Sequence, residues 1–356
     1  MRIAQVMFSK GFGGAERYFV DLCLSLAARG HEVLAITHPE SASRRHLEGQ
    51  PGIRVMALRV RGNHDWLKLW PLARAIRAFR PDIVEAQLSR AGLYLGRIKH
   101  WLAAPLVTHV HNYLDLKYFR QVDFFTAATE DQARHLRELG VADDRVTVVP
   151  NFSMFPARER PAGEATTVVQ LLAFGRFVHK KGFDVLLRAV AHLPDQDAYR
   201  LVLAGDGPDR DKLTALAREL GIAERVAFPG WLEDVAPLLD QADVFVLPSR
   251  HEPFGIVVLE AMARGTAIVS TRTEGPVTML DETTGWLCEI DNADDMAKQL
   301  EDAIRDDAGR TARAQQAMVR YRERYCVDAV LPQMEAGYRQ ALALVGRQGC
   351  ETASKR

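Results

Sequence analysis

Short apolar runs alternate with longer helical patterns along the whole chain, and this alternation limits the possible folds more than any other feature. It is typical of β-α-β units, which build parallel sheets covered by helices. In the first half, strands are predicted at Arg2–Phe8, Glu32–Thr37, Ile53–Leu58, Ile83–Ala86, Leu106–His111, Phe124–Ala128 and Val146–Val149. Helices are predicted over Ala15–Arg29 and Trp66–Phe79. We therefore expect a doubly wound α/β domain.

The same pattern begins again in the second half. Strands are predicted at Val168–Phe174, Arg200–Ala204, Val226–Phe228, Val244–Leu247, Ala267–Ser270 and Gly285–Cys288, and helices at Gly182–His192, Asp209–Leu220 and Val235–Gln241. Pro150–Ala165 contains three prolines and no hydrophobic periodicity, so it is the predicted linker. We expect domains at residues 1–160 and 161–320 that face each other across a cleft. Residues 308–345 predict a long helical stretch with a break at Pro332.

Composition excludes several classes of protein. The 356 residues are 47% hydrophobic and 26% charged, which is ordinary for globular proteins and unlike collagens, coiled coils or disordered chains. The four cysteines are far apart with no CxxC pair, which argues against a disulfide framework and a structural zinc site. No apolar run reaches the roughly 18 residues of a spanning helix, and Ile3–Phe8 is too short for a signal peptide. A cytoplasmic location is expected.

The balanced charge of 46 basic and 46 acidic residues conceals an asymmetry. Residues 1–160 hold 23 basic and 16 acidic side chains, a net +7, while residues 161–356 hold 23 and 30, a net −7. The basic half is suited to an anionic partner or membrane surface. Attraction between the two halves explains the asymmetry equally well. A near-neutral pI of 7.2, with no basic and aromatic platform, argues against nucleic-acid binding.

A glycine-rich turn follows the first predicted strand and opens a helix at Lys10–Glu16. Free N–H groups and the helix dipole at such a turn favour an anion. A dinucleotide-binding fingerprint is disfavoured, because Glu16 stands where its third glycine is required. The second strand also ends at Thr37 and His38 without the acidic residue that would hold a ribose.

Two further loops of the second half carry charged residues between a strand and a helix. Arg176 and Lys181 are five positions apart and can converge on a diphosphate, although a solvated basic loop is an equal alternative. In Pro248–Ala261, Glu252 and Glu260 flank a helix start at Gly255. This arrangement offers backbone N–H groups to an anion and carboxylates to neutral hydroxyls. The alternative for the two glutamates is a helix-terminal charge and a surface residue.

These motifs occur together in the order found in one family. The matching segments are Gly13–Glu16, His111 with Asn112, Pro150 with Asn151, Gly175–Gly182, Gly205–Pro208 and Glu252–Glu260. Over essentially its full length the chain resembles the retaining glycosyltransferases of family 4, which have the GT-B fold of two Rossmann-like domains. The resemblance implies transfer of a sugar from a nucleoside-diphosphate sugar. We also expect residues 321–356 to pack back on the first domain.

The resemblance also assigns roles to residues. Arg176 and Lys181 would neutralise the diphosphate, Glu252 would bind hydroxyls of the sugar, and Glu260 would hold the ribose. His111 would lie beside the reacting sugar. The implied catalytic residues are Arg176, Lys181, His111 and Glu252, and the implied donor-binding residues are Gly13, Gly14, Arg176, Lys181, Glu252, Phe254, Gly255, Ile256, Val257 and Glu260.

No metal or other cofactor is expected, and a UDP-sugar is the favoured donor. The Asp195-Gln196-Asp197 run has the spacing of a metal-binding pair, but it falls on a helix-to-strand turn at the wrong edge of the sheet. The sequence departs from the family at Thr278, where a Glu is usual, and Glu274 could replace that Glu. His109, on the same strand face as His111, is interpreted as a core histidine but could take the role of His111.

The acceptor is expected to be a glycan or a lipid-linked molecule of the lipopolysaccharide type. Trp66–Arg80 interleaves aromatic and basic residues, which suits the anionic inner face of a membrane. An ordinary helix packed on a sheet, with a solvated basic face, is the alternative. Rival functions are a nucleotide-sugar epimerase or phosphorylase of GT-B fold, and a non-catalytic nucleotide-sugar-binding scaffold.

Overall fold

The computed structural model describes residues 1–113, 115–159, 168–195, 198–232 and 234–354, with side chains to residue 347. The chain forms two compact units. Unit one comprises Met1–Met154 with Val327–Arg356, and unit two comprises Phe155–Cys326. The division falls within the predicted linker, of which residues 160–167 lie outside the described residues.

Unit one contains a parallel sheet of seven described strands. They are β1 (Arg2–Met7), β2 (Glu32–Thr37), β3 (Ile53–Ala57), β4 (Ile83–Gln87), β5 (Leu106–Val110), β6 (Phe124–Ala127) and β7 (Val146–Val148). Their order is β3-β2-β1-β4-β5-β6-β7. The winding direction reverses between β1 and β4, so the loops leaving these two strands diverge and open a crevice at the carboxyl edge of the sheet.

Helices cover this sheet because their apolar residues recur at helical spacing. They are α1 (Gly14–Ala28), α2 (Ala42–Leu47), α3 (Leu69–Phe79), α4 (Leu88–Arg97) and α5 (Glu130–Glu138). In α3, for example, Leu72, Ile76 and Phe79 are buried, which places one stripe against the core. A three-residue 3₁₀ turn, Trp66–Lys68, replaces the predicted first turn of this helix.

Unit two repeats the architecture. Its described strands are β8 (Val169–Phe174), β9 (Tyr199–Ala204), β10 (Val226–Ala227), β11 (Val244–Leu247), β12 (Ala267–Thr271) and β13 (Trp286–Cys288). Its described helices are α6 (Phe183–Ala191), α7 (Arg210–Glu219), α8 (Ala236–Gln241), α9 (Ile256–Ala263), α10 (Pro276–Met279), α11 (Ala293–Arg305) and α12 (Asp307–Arg324). The parallel strands are ordered β10-β9-β8-β11-β12-β13, so the winding reverses between β8 and β11. The prediction of two doubly wound α/β domains is confirmed.

The predicted break at Pro332 is wrong. The helical stretch ends instead at Arg324, and a new helix, α13 (Val327–Ser354), runs through Pro332. Tyr325 leaves the helical conformation because its buried ring packs against Phe254 and its hydroxyl donates to a backbone carbonyl of α10. Pro332 is exposed near the start of α13, so water can reach the carbonyl group that its missing N–H leaves unpaired.

Helix α13 belongs to unit one, whereas residues 321–326, predicted to pack there as well, belong to unit two. The buried face of α13 carries Val330, Leu331, Met334 and Tyr338. Glu335 forms an ion pair with Arg29 at 2.9 Å, and its Oε1 lies 3.0 Å from His31 Nε2. Within the described part of the chain, no helix is both long enough and apolar enough to cross a bilayer.

Candidate functional site

Two loops meet at the carboxyl edge of the unit-two sheet, where β8 and β11 lie side by side. The backbone N–H of Arg250, after β11, donates to the carbonyl of Lys180, after β8, at 2.8 Å. Gly182 has a φ of +64°, and a Cβ there would lie 2.0 Å from the carbonyl oxygen of Pro248. Only glycine allows the loops to approach so closely. The fold thus brings together the two predicted charged motifs.

Lys181 and Glu252 form an ion pair between these loops. The Lys181 Nζ lies 2.5 Å from Glu252 Oε2, and the side chains are 19% and 12% exposed. Ser249 Oγ lies 3.4 Å from the same carboxylate oxygen. Because both charges are largely withdrawn from water, each fixes the position of the other. A diphosphate and a sugar hydroxyl would find a cation and a hydrogen-bond acceptor side by side.

Arg176 follows β8 directly and is exposed. Its guanidinium forms no ion pair or hydrogen bond with any residue that the structure describes. The loop beneath it is well anchored, since Phe177 is fully buried and its N–H donates to the carbonyl of Asp206 at 2.8 Å. Arg176 is therefore a cation with unused donors on an anchored loop, which suits binding of an anion.

The start of α9 faces the same edge of the sheet. Gly255 precedes the helix with a φ of +92° and, as a glycine, offers no side chain to cap the first free N–H groups of Ile256 and Val257. Phe254 is buried beside them, and Glu260 in the second turn is 3% exposed. An uncapped helix start and a buried carboxylate are suited to a phosphate and to neutral hydroxyls, respectively.

Arg250 braces the two loops, and the sequence analysis missed it. Its guanidinium contacts the carboxylate of Asp184 with N–O distances of 2.7 and 2.8 Å. It also donates to Asp291 at 2.8 Å and to the carbonyl of His179 at 2.8 Å. Hydrogen bonding to Arg250 lowers the pKa of Asp184 below its ordinary value. The available signal was an Arg inside a proline-bracketed loop that follows a buried strand.

The predicted substitute for the usual family Glu lies beside the site. Glu274 Oε1 is 3.4 Å from His251 Nδ1, and its Oε2 is buried without a hydrogen-bond partner. The next residue, Gly275, donates its N–H to the carbonyl of Glu252 at 2.9 Å. Thr278 is exposed and donates its hydroxyl to the Gly275 carbonyl. The role of Glu274 in binding stays a prediction.

The other predicted residues belong to unit one. Gly13 and Gly14 form the turn between β1 and α1, where the N–H of Gly13 donates to Glu16 Oε2 at 2.9 Å. An anion could use this N–H only after Glu16 moved away. The contribution of Gly13 and Gly14 to donor binding stays a prediction.

His109 and His111 occupy different environments on one strand face. His109 is buried, with Nδ1 2.8 Å from Thr126 Oγ1 and Nε2 2.9 Å from Asn151 Oδ1. Burial lowers the pKa of His109 to about 4. His111, just after β5, is partly exposed and its Nε2 lies 2.6 Å from Gln87 Oε1. His109 thus has the environment of a core histidine, whereas His111 has a ring nitrogen to spare.

No group of three metal-ligating side chains is found among the residues that the structure describes. Of the Asp195–Asp197 run, Gln196 and Asp197 lie outside those residues.

Comparison with known proteins identifies the family. Residues 12–152 match the family described as Glycosyltransferase Family 4, and residues 156–322 match Glycosyl transferases group 1. The chain is 36% identical over 324 residues to the lipopolysaccharide core biosynthesis glycosyltransferase LpsE of Rhizobium meliloti, covering 88% of this chain and 92% of LpsE. The chain belongs to the family 4 glycosyltransferases. LpsD of the same organism is 32% identical over 357 residues, covering 95% of the transferase and 99% of LpsD.

Solved structures agree on the fold. HepE of Anabaena in complex with UDP matches the transferase with a TM-score of 0.83 at 20% identity, covering 94% of this chain and 99% of HepE. HepE in complex with UDP-glucose matches with a TM-score of 0.81 at 21% identity, covering 94% of this chain and 98% of HepE. The transferase therefore has the GT-B fold, as the resemblance implied.

Proposed function

We propose that the transferase moves a sugar from a UDP-sugar to a glycan or lipid-linked acceptor during assembly of lipopolysaccharide or another envelope glycan, with retention at the anomeric carbon. The relatives LpsE and LpsD are lipopolysaccharide core biosynthesis glycosyltransferases, which supports this class of acceptor. The UDP and UDP-glucose complexes of HepE support the donor.

The observation that carries the proposal is that the loop after β8 holds both Lys181, paired with Glu252, and Arg176, which is exposed and forms no ion pair with a residue that the structure describes. Breaking the bond between the sugar C1 and phosphate builds negative charge on the departing diphosphate. Arg176 supplies a bidentate cation and Lys181 a second charge, while the N–H groups that open α9 can bind phosphate oxygens. No metal is assigned to this step.

The two carboxylates of the site take different parts of the donor. Glu252, held by Lys181, accepts hydrogen bonds from hydroxyls of the transferred sugar, and Glu260 accepts them from the ribose. Hydroxyl groups are neutral, so they can approach carboxylates that would repel phosphate. For His111 the family implies a role beside the reacting sugar.

Calorimetric titration of UDP tests the site at Arg176. Arg176→Ala removes a charge-assisted interaction worth about 1.5–3 kcal/mol, so the dissociation constant should rise by roughly 10- to 100-fold. Lys180→Ala is the matched control, because it removes an exposed positive charge from the same loop. Equal affinities of the wild type and Arg176→Ala for UDP would contradict the assignment.

Turnover measurements separate the proposed function from its rivals. A transferase releases UDP faster when an acceptor is added, whereas an epimerase converts the nucleotide sugar without one. A non-catalytic scaffold binds UDP but forms none from a UDP-sugar. Arg176→Ala should lower the rate of UDP release by about 10²–10³, as loss of a comparable charge-stabilising donor does elsewhere.

An exposed aromatic surface supports a membrane-associated acceptor. Trp66 and Leu67 of the 3₁₀ turn and Trp70 of α3 are 59%, 85% and 62% exposed, respectively. The guanidinium carbons of Arg97 and Arg74 lie 4.3 and 5.3 Å from the ring centroids of Trp66 and Trp70. Trp beside Arg is suited to the interface of an anionic bilayer. The same helix buries its other face in the core, so the packing role and the membrane role are compatible.

Flotation with liposomes tests this surface. The transferase should float with vesicles that contain anionic phosphatidylglycerol and less with purely zwitterionic ones. The double variant Trp66→Ala/Trp70→Ala should lose flotation, whereas Trp231→Ala, at a 51% exposed Trp of unit two, should retain it. Equal flotation of the double variant and the wild type would refute membrane binding by these side chains.

A further inference from the structure

A chain of buried polar side chains runs through unit one from β4 to His111. Glu85, Gln5 and Gln87 are all 0% exposed, and Tyr338 of α13 joins them. Gln5 Nε2 lies 2.6 Å from Glu85 Oε2, and the Tyr338 hydroxyl donates to the same carboxyl oxygen. Polar groups at this depth are costly unless they form hydrogen bonds, so their arrangement needs an explanation.

The hydrogen bonds of this chain point in one direction as long as Glu85 Oε2 is an acceptor, which holds for the carboxylate and for a carboxyl protonated on Oε1. Because Glu85 Oε2 accepts, Gln5 must direct its Nε2 to Glu85 and its Oε1 to Gln87. Gln87 Nε2 donates to that oxygen at 3.1 Å, so Gln87 Oε1 is the atom left facing His111 Nε2 at 2.6 Å. An amide oxygen only accepts, and Nε2 of His111 must therefore carry the proton.

We propose that Glu85 is a positioning residue that, through Gln5 and Gln87, fixes His111 in the Nε2–H tautomer and so leaves its Nδ1 as an unprotonated hydrogen-bond acceptor. The inference rests on the proposed function in one respect only. The hydroxyl group that would donate a hydrogen bond to Nδ1 is taken to belong to the sugar or the acceptor. The tautomer itself is a property of the free protein.

The surroundings of His111 favour a neutral ring. His109 and Tyr18 contact the imidazole edge to face, with ring centroids 5.1 and 5.2 Å away. Nδ1 has no hydrogen-bond partner among the residues that the structure describes. Burial, with a smaller contribution from His109, holds the pKa of His111 well below its ordinary value. A neutral ring with one assigned proton is an acceptor of defined direction, which a freely rotating imidazole is not.

Nitrogen-15 NMR of protein labelled at histidine reads the tautomer directly. In the wild type, His111 should show the shift pattern of Nε2–H at pH 7. Gln5→Leu and Glu85→Leu should produce a mixture of tautomers, because Gln87 is then free to turn its amide. Glu85→Gln retains an acceptor oxygen and should restore the single tautomer.

Tyr338→Phe is the matched control for damage to the fold. It removes a buried hydrogen bond to Glu85 but keeps the bond from Gln5, so the Nε2–H tautomer should persist. If Tyr338→Phe and Glu85→Leu changed the tautomer alike, or if wild-type His111 were Nδ1–H, the proposal would be wrong. A variant that fails to fold is replaced in this comparison by Gln87→Leu, which removes the bond to His111 and the bond to Gln5 but leaves Glu85 and Gln5 paired.

Kinetics then separate the positioning role from the proposed function. If the function is right, Glu85→Leu should lower the rate of UDP release at saturating UDP-sugar and leave UDP affinity unchanged, since Glu85 has no described contact with any residue proposed to bind UDP. Absence of any transfer in the wild type would refute the function while the NMR result still decided the tautomer. Normal turnover in a variant with mixed tautomers would refute the catalytic importance of the positioning.

Discussion

The buried carboxyl of Glu85 makes unit one less stable as the pH rises. Burial, which outweighs the hydrogen bonds from Tyr338, Gln5 and Gln87, raises the pKa of Glu85 from 4.5 to about 7. The folded protein therefore binds a proton at pH values where the unfolded chain has lost it. The stabilisation is fully present below pH 4.5 and is lost as the pH rises to about 7.

The size of this effect follows from the difference between the two pKa values. At about 1.36 kcal/mol per pH unit, a difference of about 2.5 units amounts to roughly 3 kcal/mol. Asp21, whose pKa burial also raises to about 7, adds a change of the same sign. His109 and His111 act in the opposite direction, because burial lowers their pKa values.

Comparison with a variant isolates the contribution of Glu85 from these other groups. Glu85→Gln keeps the shape and an acceptor oxygen but cannot ionise. The free energy of urea unfolding, measured for wild type and variant at pH 4.5 to 8, should show a wild-type advantage that shrinks by about 3 kcal/mol toward pH 7 and then stays constant. A difference between the two proteins that does not change with pH would refute this account of Glu85.

Three further substitutions test the site in unit two. Gly182→Ala should cost more than 2 kcal/mol of unfolding free energy, whereas Gly221→Ala, also at positive φ but in open space, should cost about 1 kcal/mol. Lys181→Met should destabilise by about 1–3 kcal/mol, and adding Glu252→Gln should recover part of that loss in a double-mutant cycle of urea unfolding. Arg250→Ala should raise the KM for the UDP-sugar by about tenfold or more, because the loops lose their brace.

The two sheets could be predicted from the sequence because their strands are buried on both faces. Such strands appear as continuous apolar runs, and Val244–Leu247 and Glu32–Thr37 were predicted at their observed bounds. Helix α4 was missed because it begins at Leu88 directly after β4, with no glycine or proline between them. Helix α11 was missed although Asn292 caps it, because an acidic first turn hides its apolar spacing.

The site was predicted in part, for a physical reason. Residues that follow neighbouring parallel strands meet at one sheet edge, so the meeting of the loop of Arg176 and Lys181 with the loop of Glu252 follows from topology. The brace formed by Arg250 and the chain from Glu85 depend on side-chain contacts between distant segments. Glu85 and Tyr338, for example, are 253 positions apart. No local pattern contains such a contact.

The most direct test of the account is thermal unfolding with UDP, GDP, ADP, CDP, dTDP or NAD in large excess. A ligand at a hundred times its dissociation constant stabilises the folded state by about 2.7 kcal/mol. UDP should raise the transition temperature, Arg176→Ala and Glu260→Ala should reduce the rise by about half or more, and Lys180→Ala should retain it. If only NAD raised the transition temperature, or if none of the nucleotides did, the assignment of this site to a nucleotide sugar would be contradicted.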